Sequence, residues 1–275
     1  MTVGEKIVAG CGTGVRALKV HVTQKCNVGG RDRIPRNVDY VDRQGRRHCF
    51  ETDVIETGAT PIAFGMRSGD RVRAFDDDLG VAGLTFSKGN GSYVLTNAHV
   101  VVDVARGGAH GSAGWHQVAA GRTTPLGPIA AASRLHEDRP NTIDAAAIKV
   151  ENPDLLDLRM ISGSDDYIAK MELIRSDVSN YVLAIEGNFI PCFRPEPIAG
   201  DAELDVDGVM LTYRRFWQLR TADGQAAKGL SGAALLRKRG SLVAASGLVF
   251  GGIPDRFIWA FSFKPLFKSL FDALP

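Results

Sequence analysis

Charge of one sign is missing from this sequence. Its 33 Lys and Arg stand against 31 Asp and Glu, a net charge of +2 over 275 residues. So small an excess implies neither a nucleic acid nor an anionic membrane as partner. Long apolar runs are missing too, since no stretch approaches the roughly 20 consecutive apolar residues that span a bilayer. The opening Met1-Thr2-Val3-Gly4-Glu5-Lys6 has no basic segment leading into an apolar run. It does not read as a signal peptide, and the expectation is a cytoplasmic protein. Cysteine is scarce: Cys11, Cys26, Cys49 and Cys192 show no close pairing pattern, so free thiols are expected rather than disulfides. Cys26, His48 and Cys49, with His21, lack CxxC or HxxxH spacing. No metal is expected there, and no other feature points to a cofactor. Internal repeats and low-complexity tracts are absent, and helical patterning is scarce before the last dozen residues.

What is present is an ordinary globular composition, 44% hydrophobic and 23% charged, with 31 glycines that suit many turns. The length allows two or three units with their own cores. Residues 1–60 read as one unit. Val15 to Thr23 alternates as a half-buried strand does, a Gly- and Arg-rich loop covers Asn27 to Arg36, and Val38 to Val41 and Cys49 to Ile55 are further strands about a turn at Arg43-Gln44-Gly45-Arg46. Arg31, Arg33, Arg36, Arg43, Arg46 and Arg47 form a local basic group whose interspersed acids point to a solvated face. Gly58-Ala59-Thr60-Pro61 reads as a linker.

Beyond residue 79 the pattern is one of short strands between turns. Val81 to Phe86 and Ser92 to Thr96 flank Lys88-Gly89-Asn90-Gly91, a hairpin signal. Further β-rich runs cover Ala145 to Val150, Tyr181 to Ile185, Val209 to Tyr213, Ala233 to Leu236 and Leu242 to Phe250. Leu266, Phe267, Leu270, Phe271 and Leu274 fall at helical spacing, so a C-terminal helix is expected to dock on the body. Such a chain is mostly β, built as barrels or a sandwich rather than as βαβ units.

Three segments carry chemistry. A serine becomes a nucleophile only when a base takes its proton, and the base needs a partner to fix its tautomer. Ser231 lies in Gly229-Leu230-Ser231-Gly232-Ala233, where flanking glycines permit a tight turn that aims the N–H groups of Gly229 and Ser231 at one point. Such a pair is an oxyanion hole, each donor contributing about a hundred- to a thousandfold in rate. Taken alone, the segment is equally an ordinary Gly/Ser turn. Gly-x-Ser-x-Gly/Ala also fits a nucleophile elbow, but that arrangement needs a histidine after the serine, and the last of the six histidines is His136. The base therefore comes from upstream. His99, in Thr96-Asn97-Ala98-His99-Val100-Val101, follows an apolar β-run; its alternative reading is a histidine satisfied by backbone. Asp144, in Asn141-Thr142-Ile143-Asp144-Ala145-Ala146, leads an apolar strand and needs a partner if buried; it is otherwise a turn or cap residue. Asp103 and Asp138 are weaker candidates because neither introduces an apolar strand.

Together, in this order and spacing, the three segments resemble the motifs of trypsin-like serine proteases, nearest the bacterial Deg/HtrA-like branch, over roughly residues 79 to 275. The resemblance implies a chymotrypsin-like fold of two six-stranded β-barrels, here 61–153 and 154–275, the second followed by the C-terminal helix. It implies His99 as general base, Asp144 as its orienter, Ser231 as nucleophile, and Gly229 with Ser231 as oxyanion donors. The substrate would be a polypeptide. Leu230 stands where secreted members carry an Asp that pairs with a newly cut N-terminus, so that activation switch should be absent, and Ala233 and Ala234 replace the usual Gly-Pro. No PDZ-like segment follows. Leu18 to Val22, Arg33-Ile34-Pro35 and Thr52 to Glu56 resemble the N-terminal extension of some bacterial and plant trypsin-like proteins, a small β or α+β unit open to a regulatory protein partner. By the same resemblance Gln225, Phe250, Gly251 and Gly252 line the specificity pocket. Gln225 is neutral and Phe250 offers an apolar wall, so a small or apolar residue is expected before the cut. The competing readings are a catalytically silent module of this fold that binds a protein, and a protease gated by a partner in a bacterial stress or defence system.

Overall fold

A computed structural model of the chain describes residues 2–8, 11–22, 34–41, 44–56, 66–74, 79–104, 108–109, 113–117, 122–206, 208–222, 229–239 and 242–274. The chain divides into two units, Met1–Phe64 and Gly65–Pro275.

In the first unit, β1 (Thr2–Val8) and β2 (Cys11–Val22) form an antiparallel hairpin. Strand β3 (Asn37–Val41) pairs antiparallel with β4 (Arg47–Glu56), across the turn expected at residues 43–46. β4 lies parallel to β2, giving the sheet order β1-β2-β4-β3. The regular elements among the described residues of this unit are all strands, and the loop expected over residues 27–36 lies mostly outside the described residues.

The second unit begins with β5 (Met66–Ser68), β6 (Arg71–Ala74), β7 (Leu79–Val81), β8 (Leu84–Lys88) and β9 (Gly91–Thr96). Strands β8 and β9 form the expected hairpin, with Leu84 opposite Leu95 and Lys88 opposite Gly91. Gly89 takes φ +55° in its two-residue loop, where a side chain would be strained. A single turn of helix, α1 (Ala98–Val101), leads to a small ribbon of β10 (Val102–Asp103) and β11 (Gly108–Ala109). Then follow β12 (Ala113–Gln117), β13 (Arg122–Gly127), β14 (Ile129–Ala132) and β15 (Ala146–Val150). One sheet runs β13-β12-β6-β7 and another β14-β15-β9-β8. β7 continues through Ala82 and Gly83 into β8, and β13 through Pro128 into β14. The Gly83 N–H donates to Leu95 C=O at 2.7 Å and the Lys149 N–H to Pro128 C=O at 2.9 Å. The two sheets thus close into one barrel, filled by Met66, Val72, Val94, Leu126, Ile148 and their neighbours.

β16 (Leu156–Ile161) returns parallel to β5. The second barrel uses β17 (Ile168–Met171), β18 (Tyr181–Ile185), β19 (Asn188–Val206), β20 (Val209–Thr221), β21 (Ala234–Arg239), β22 (Leu242–Ile253) and β23 (Phe257–Ser262). The order β22-β21-β18-β19-β20-β23 closes because β23 also pairs with β22. The length of β19 was not legible, since Pro191, Pro195 and Pro197 argue against a central strand. The structure accommodates them with register shifts between Phe193 and Glu196 and between Ile198 and Asp201. The expected C-terminal helix is α2 (Phe263–Ala273), which buries Phe263, Leu266 and Leu270. Phe267 packs edge-on against Phe86 of β8 with ring centroids 4.9 Å apart. Lys88 Nζ donates to the Phe271 carbonyl at 3.0 Å and to that of Leu274. Each such buried side chain contributes about 1.5–3 kcal/mol. One cluster joins Leu84 and Phe86 of the first barrel to Leu248 and Phe261 of the second and to α2, so the two barrels share a core.

Candidate active site

The site is built where the two barrels meet. Strand β15 pairs with β9 so that Ala146 lies opposite Thr96. Two residues before Ala146, Asp144 therefore reaches the start of α1. Its Oδ1 accepts the Ala98 N–H at 2.7 Å and the His99 N–H at 3.2 Å. The carboxylate caps a helix start that the Asn97 side chain does not cap. Asn97 instead donates Nδ2 to the Asp144 carbonyl at 2.7 Å. On the other carboxylate oxygen, Oδ2, the His99 Nδ1–H donates at 2.6 Å. That bond places the proton on Nδ1 and leaves Nε2 as the basic nitrogen of the neutral ring.

Asp144 is fully buried, at 0% exposure. Burial raises its carboxyl pKa, but the facing His99 charge and the hydrogen bonds from His99 and Tyr213 outweigh burial and hold it below the ordinary carboxylate range. Tyr213, on β20, donates its hydroxyl to Oδ2 at 2.8 Å. Burial, and then the neighbouring carboxylate, push the Tyr213 hydroxyl far above its usual value, so it stays protonated and donates. The position of Tyr213 is fixed by a bridge to Asn141, whose N–H donates to Thr212 C=O at 2.7 Å and whose C=O accepts the Arg214 N–H at 2.9 Å. Sequence reasoning missed Tyr213. The available signal was that a tyrosine inside an apolar strand needs a hydrogen-bond partner.

Ser231 sits in the turn before β21. Its C=O accepts the Val81 N–H at 2.8 Å, which ties it to β7 of the first barrel. Next to Val81, Gly80 leaves just enough room for the segments of His99 and Ser231. A Cβ on it would come within 2.5 Å of Val100, the residue after His99, and 3.1 Å of the Ser231 oxygen. Gly232, at φ +92°, abuts the His99 segment directly: a Cβ there would run into the Val81 carbonyl and Thr96 Oγ1. The turn is closed by the Gly232 N–H on Val249 C=O at 2.8 Å and the Ala233 N–H on Leu230 C=O at 2.9 Å. Among the described residues, the N–H groups of Gly229 and Ser231 donate to none of the backbone acceptors of this turn. Leu230 is buried in the apolar cluster of Val81, Leu183, Leu219, Val249 and Ile258, where a charge has no place.

The expected pocket residues divide. Gln225 lies outside the described residues. Phe250 is not an open pocket wall: it is fully buried, with its ring 4.6 Å from Tyr213, 4.5 Å from Phe261 and 5.5 Å from Phe216. It shares the core cluster with Leu248, two residues earlier on β22, while Val249 between them packs in the other cluster, so strand alternation puts the Phe250 ring on the core face. Gly251 and Gly252 are half-buried on β22, and the methyls of Leu204 lie 3.2 Å from where a Gly251 Cβ would stand. The described cysteines whose thiols can be placed, Cys49 and Cys192, are free, and burial pushes the Cys192 thiol up to about 12.

Two closed barrels with the His99–Asp144 pair on the first and the Ser231 turn on the second define the chymotrypsin-like two-barrel fold. Solved structures share it. Protease A of Thermobifida fusca matches at a TM-score of 0.52 and 12% identity, over 74% of this chain and 95% of its own. A Cellulomonas bogoriensis chymotrypsin matches at 0.51 and 16%, over 75% and 96%. A Nocardiopsis protease matches at 0.50 and 12%, over 75% and 97%. At such identities the likeness is one of fold. No protein-family model and no curated sequence matches the chain.

Proposed function

We propose that this chain is a serine endopeptidase that cleaves polypeptides through an acyl-enzyme. Ser231 Oγ attacks the scissile carbonyl carbon while His99 Nε2 takes its proton. Asp144 stabilises the imidazolium so formed. The negative charge on the carbonyl oxygen is met by the N–H groups of Gly229 and Ser231. The C–N bond then breaks, His99 gives its proton to the leaving amine, and the acyl group stays on Ser231 as an ester. Water, deprotonated by His99, attacks that ester and releases the acid and the free serine.

The observation that carries this reading is the 2.6 Å bond from His99 Nδ1 to a fully buried carboxylate, beside a serine turn tied to the same barrel. A carboxylate with no solvent and with four hydrogen bonds converging on it serves to orient and charge-balance an imidazole. The fold of the neighbouring structures, all proteases by name, supports the same class. The residue before the cut is small or apolar in this reading, a preference that profiling on a peptide library measures. The decisive experiment is covalent labelling with a fluorophosphonate. Wild type is expected to label at Ser231 and Ser231→Ala not at all. Absence of label on wild type, or equal label on the variant, overturns the proposal.

A further inference from the structure

We propose that Arg71 is a positioning residue for the oxyanion loop: from the first barrel, its guanidinium holds the Gly229 carbonyl, in the peptide unit that lies between the Gly229 and Ser231 N–H groups, and so restrains the loop that presents both donors to the developing charge. The inference rests on the peptidase reading above.

Gly229 is where this loop needs restraint. Its φ is +82°, a region in which glycine moves freely between neighbouring conformations. Leu230 is held by burial and the Ser231 carbonyl by Val81, but neither fixes the peptide unit that follows Gly229. Arg71 does. On β6, its Nη1 donates to the Gly229 carbonyl, and the same nitrogen lies 3.1 Å from where a Gly229 Cβ would stand. The guanidinium therefore restrains the residue from the oxygen and from the Cα side together. Its other arm is also fixed: Nη2 donates to Glu186 Oε2 at 3.2 Å, with the two side chains only 14% and 29% exposed. Glu186 is itself pinned in the turn between β18 and β19, where its N–H donates to Gly69 C=O at 2.9 Å. A planar fork can hold a carbonyl and a carboxylate at once; a lysine ammonium has no such fixed geometry. With no acid beside the nucleophile to order this loop, the ordering charge comes from the opposite barrel.

The test uses the full chain and the variants Arg71→Met, Arg71→Lys and Glu186→Gln. Loosening a donor without deleting it should cost less than its removal, so Arg71→Met is expected to lower the rate constant of fluorophosphonate labelling and kcat about ten- to a hundredfold, with KM unchanged. Affinity for a peptide aldehyde, which forms an oxyanion on Ser231, should fall in step with kcat. Affinity for the product peptide, which forms none, should hold. Arg71→Lys should recover part of the loss, and Glu186→Gln should lose a few-fold. A residue that only supports the fold would lower the unfolding temperature without this kcat-against-KM split. If wild type labels and Arg71→Met labels as fast, Arg71 has no such role, while the peptidase reading stands. If wild type does not label, the peptidase reading fails first and this one with it. Should Arg71→Met not fold, Glu186→Gln decides: an unchanged kcat overturns the clamp.

Discussion

Replacing Tyr213 with Phe removes one oxygen and leaves the rest of the ring in place. The ring packs 4.6 Å from Phe250 and 6.1 Å from Phe261, so no contact of the aromatic cluster is lost. What goes is the 2.8 Å hydrogen bond to Asp144 Oδ2, one of four that satisfy a carboxylate with no access to water. A hydrogen bond to a charged group is worth about 1.5–3 kcal/mol, and the orphaned lone pair cannot turn to solvent, so about 2 kcal/mol of stability should be lost at pH 7. The loss depends on pH in a definite sense. Asp144 has its folded pKa below its unfolded value, so its ionisation stabilises the native state. That contribution is whole above the unfolded carboxylate value of about 3.9 and is lost as pH falls through the folded value. Tyr213 donates to the ionised form, so its removal raises the folded pKa and shrinks the contribution. Urea unfolding of wild type and Tyr213→Phe from pH 7 down to pH 3 should give a gap that is widest at neutrality and narrows in acid. A gap below about 0.5 kcal/mol, within the range of neutral surface changes, or one that stays constant over this range, refutes the reasoning.

Two further outcomes follow from the same contacts. Asp144→Asn puts an amide where His99 needs an acceptor, so the imidazole turns to the wrong tautomer and kcat on a peptide substrate should fall about ten-thousandfold; a loss below tenfold contradicts the assigned role. Gly232→Ala drives a methyl into the Val81 carbonyl and Thr96 Oγ1 at φ +92°. It should cost about 3 kcal/mol or more, read as a lower unfolding midpoint, and a near-wild-type midpoint would show that the turn yields.

How much of this was legible varies residue by residue. His99, Asp144 and Ser231 stand out as candidates because their three segments fall in one order and spacing, although each alone reads equally as a turn, a cap or a histidine satisfied by backbone. The helix Phe263–Ala273 could be read because its apolar side chains repeat at helical spacing. The hairpin at Lys88 to Gly91 could be read because its loop needs a glycine. Phe250 is placed at the pocket by resemblance alone; the packing of its ring against Tyr213, Phe216 and Phe261 comes from other strands and is not written in its own segment. Arg71 and Glu186 sit in no motif, and nothing local marks them; Tyr213 carries only the weak signal of a tyrosine inside an apolar strand, which needs a hydrogen-bond partner.

The sequence by itself determined local terms: a hairpin, several β-rich runs, one amphipathic helix, the candidates for acid, base and nucleophile, and that the residue before the serine is apolar. Tertiary structure alone decided which of these meet. Asp144 reaches Ala98 across 46 residues, Tyr213 reaches Asp144 across 69, and Arg71 reaches Gly229 across 158. Such contacts follow from how two barrels close and share a core, a cooperative outcome of strand pairing that no short window of sequence encodes.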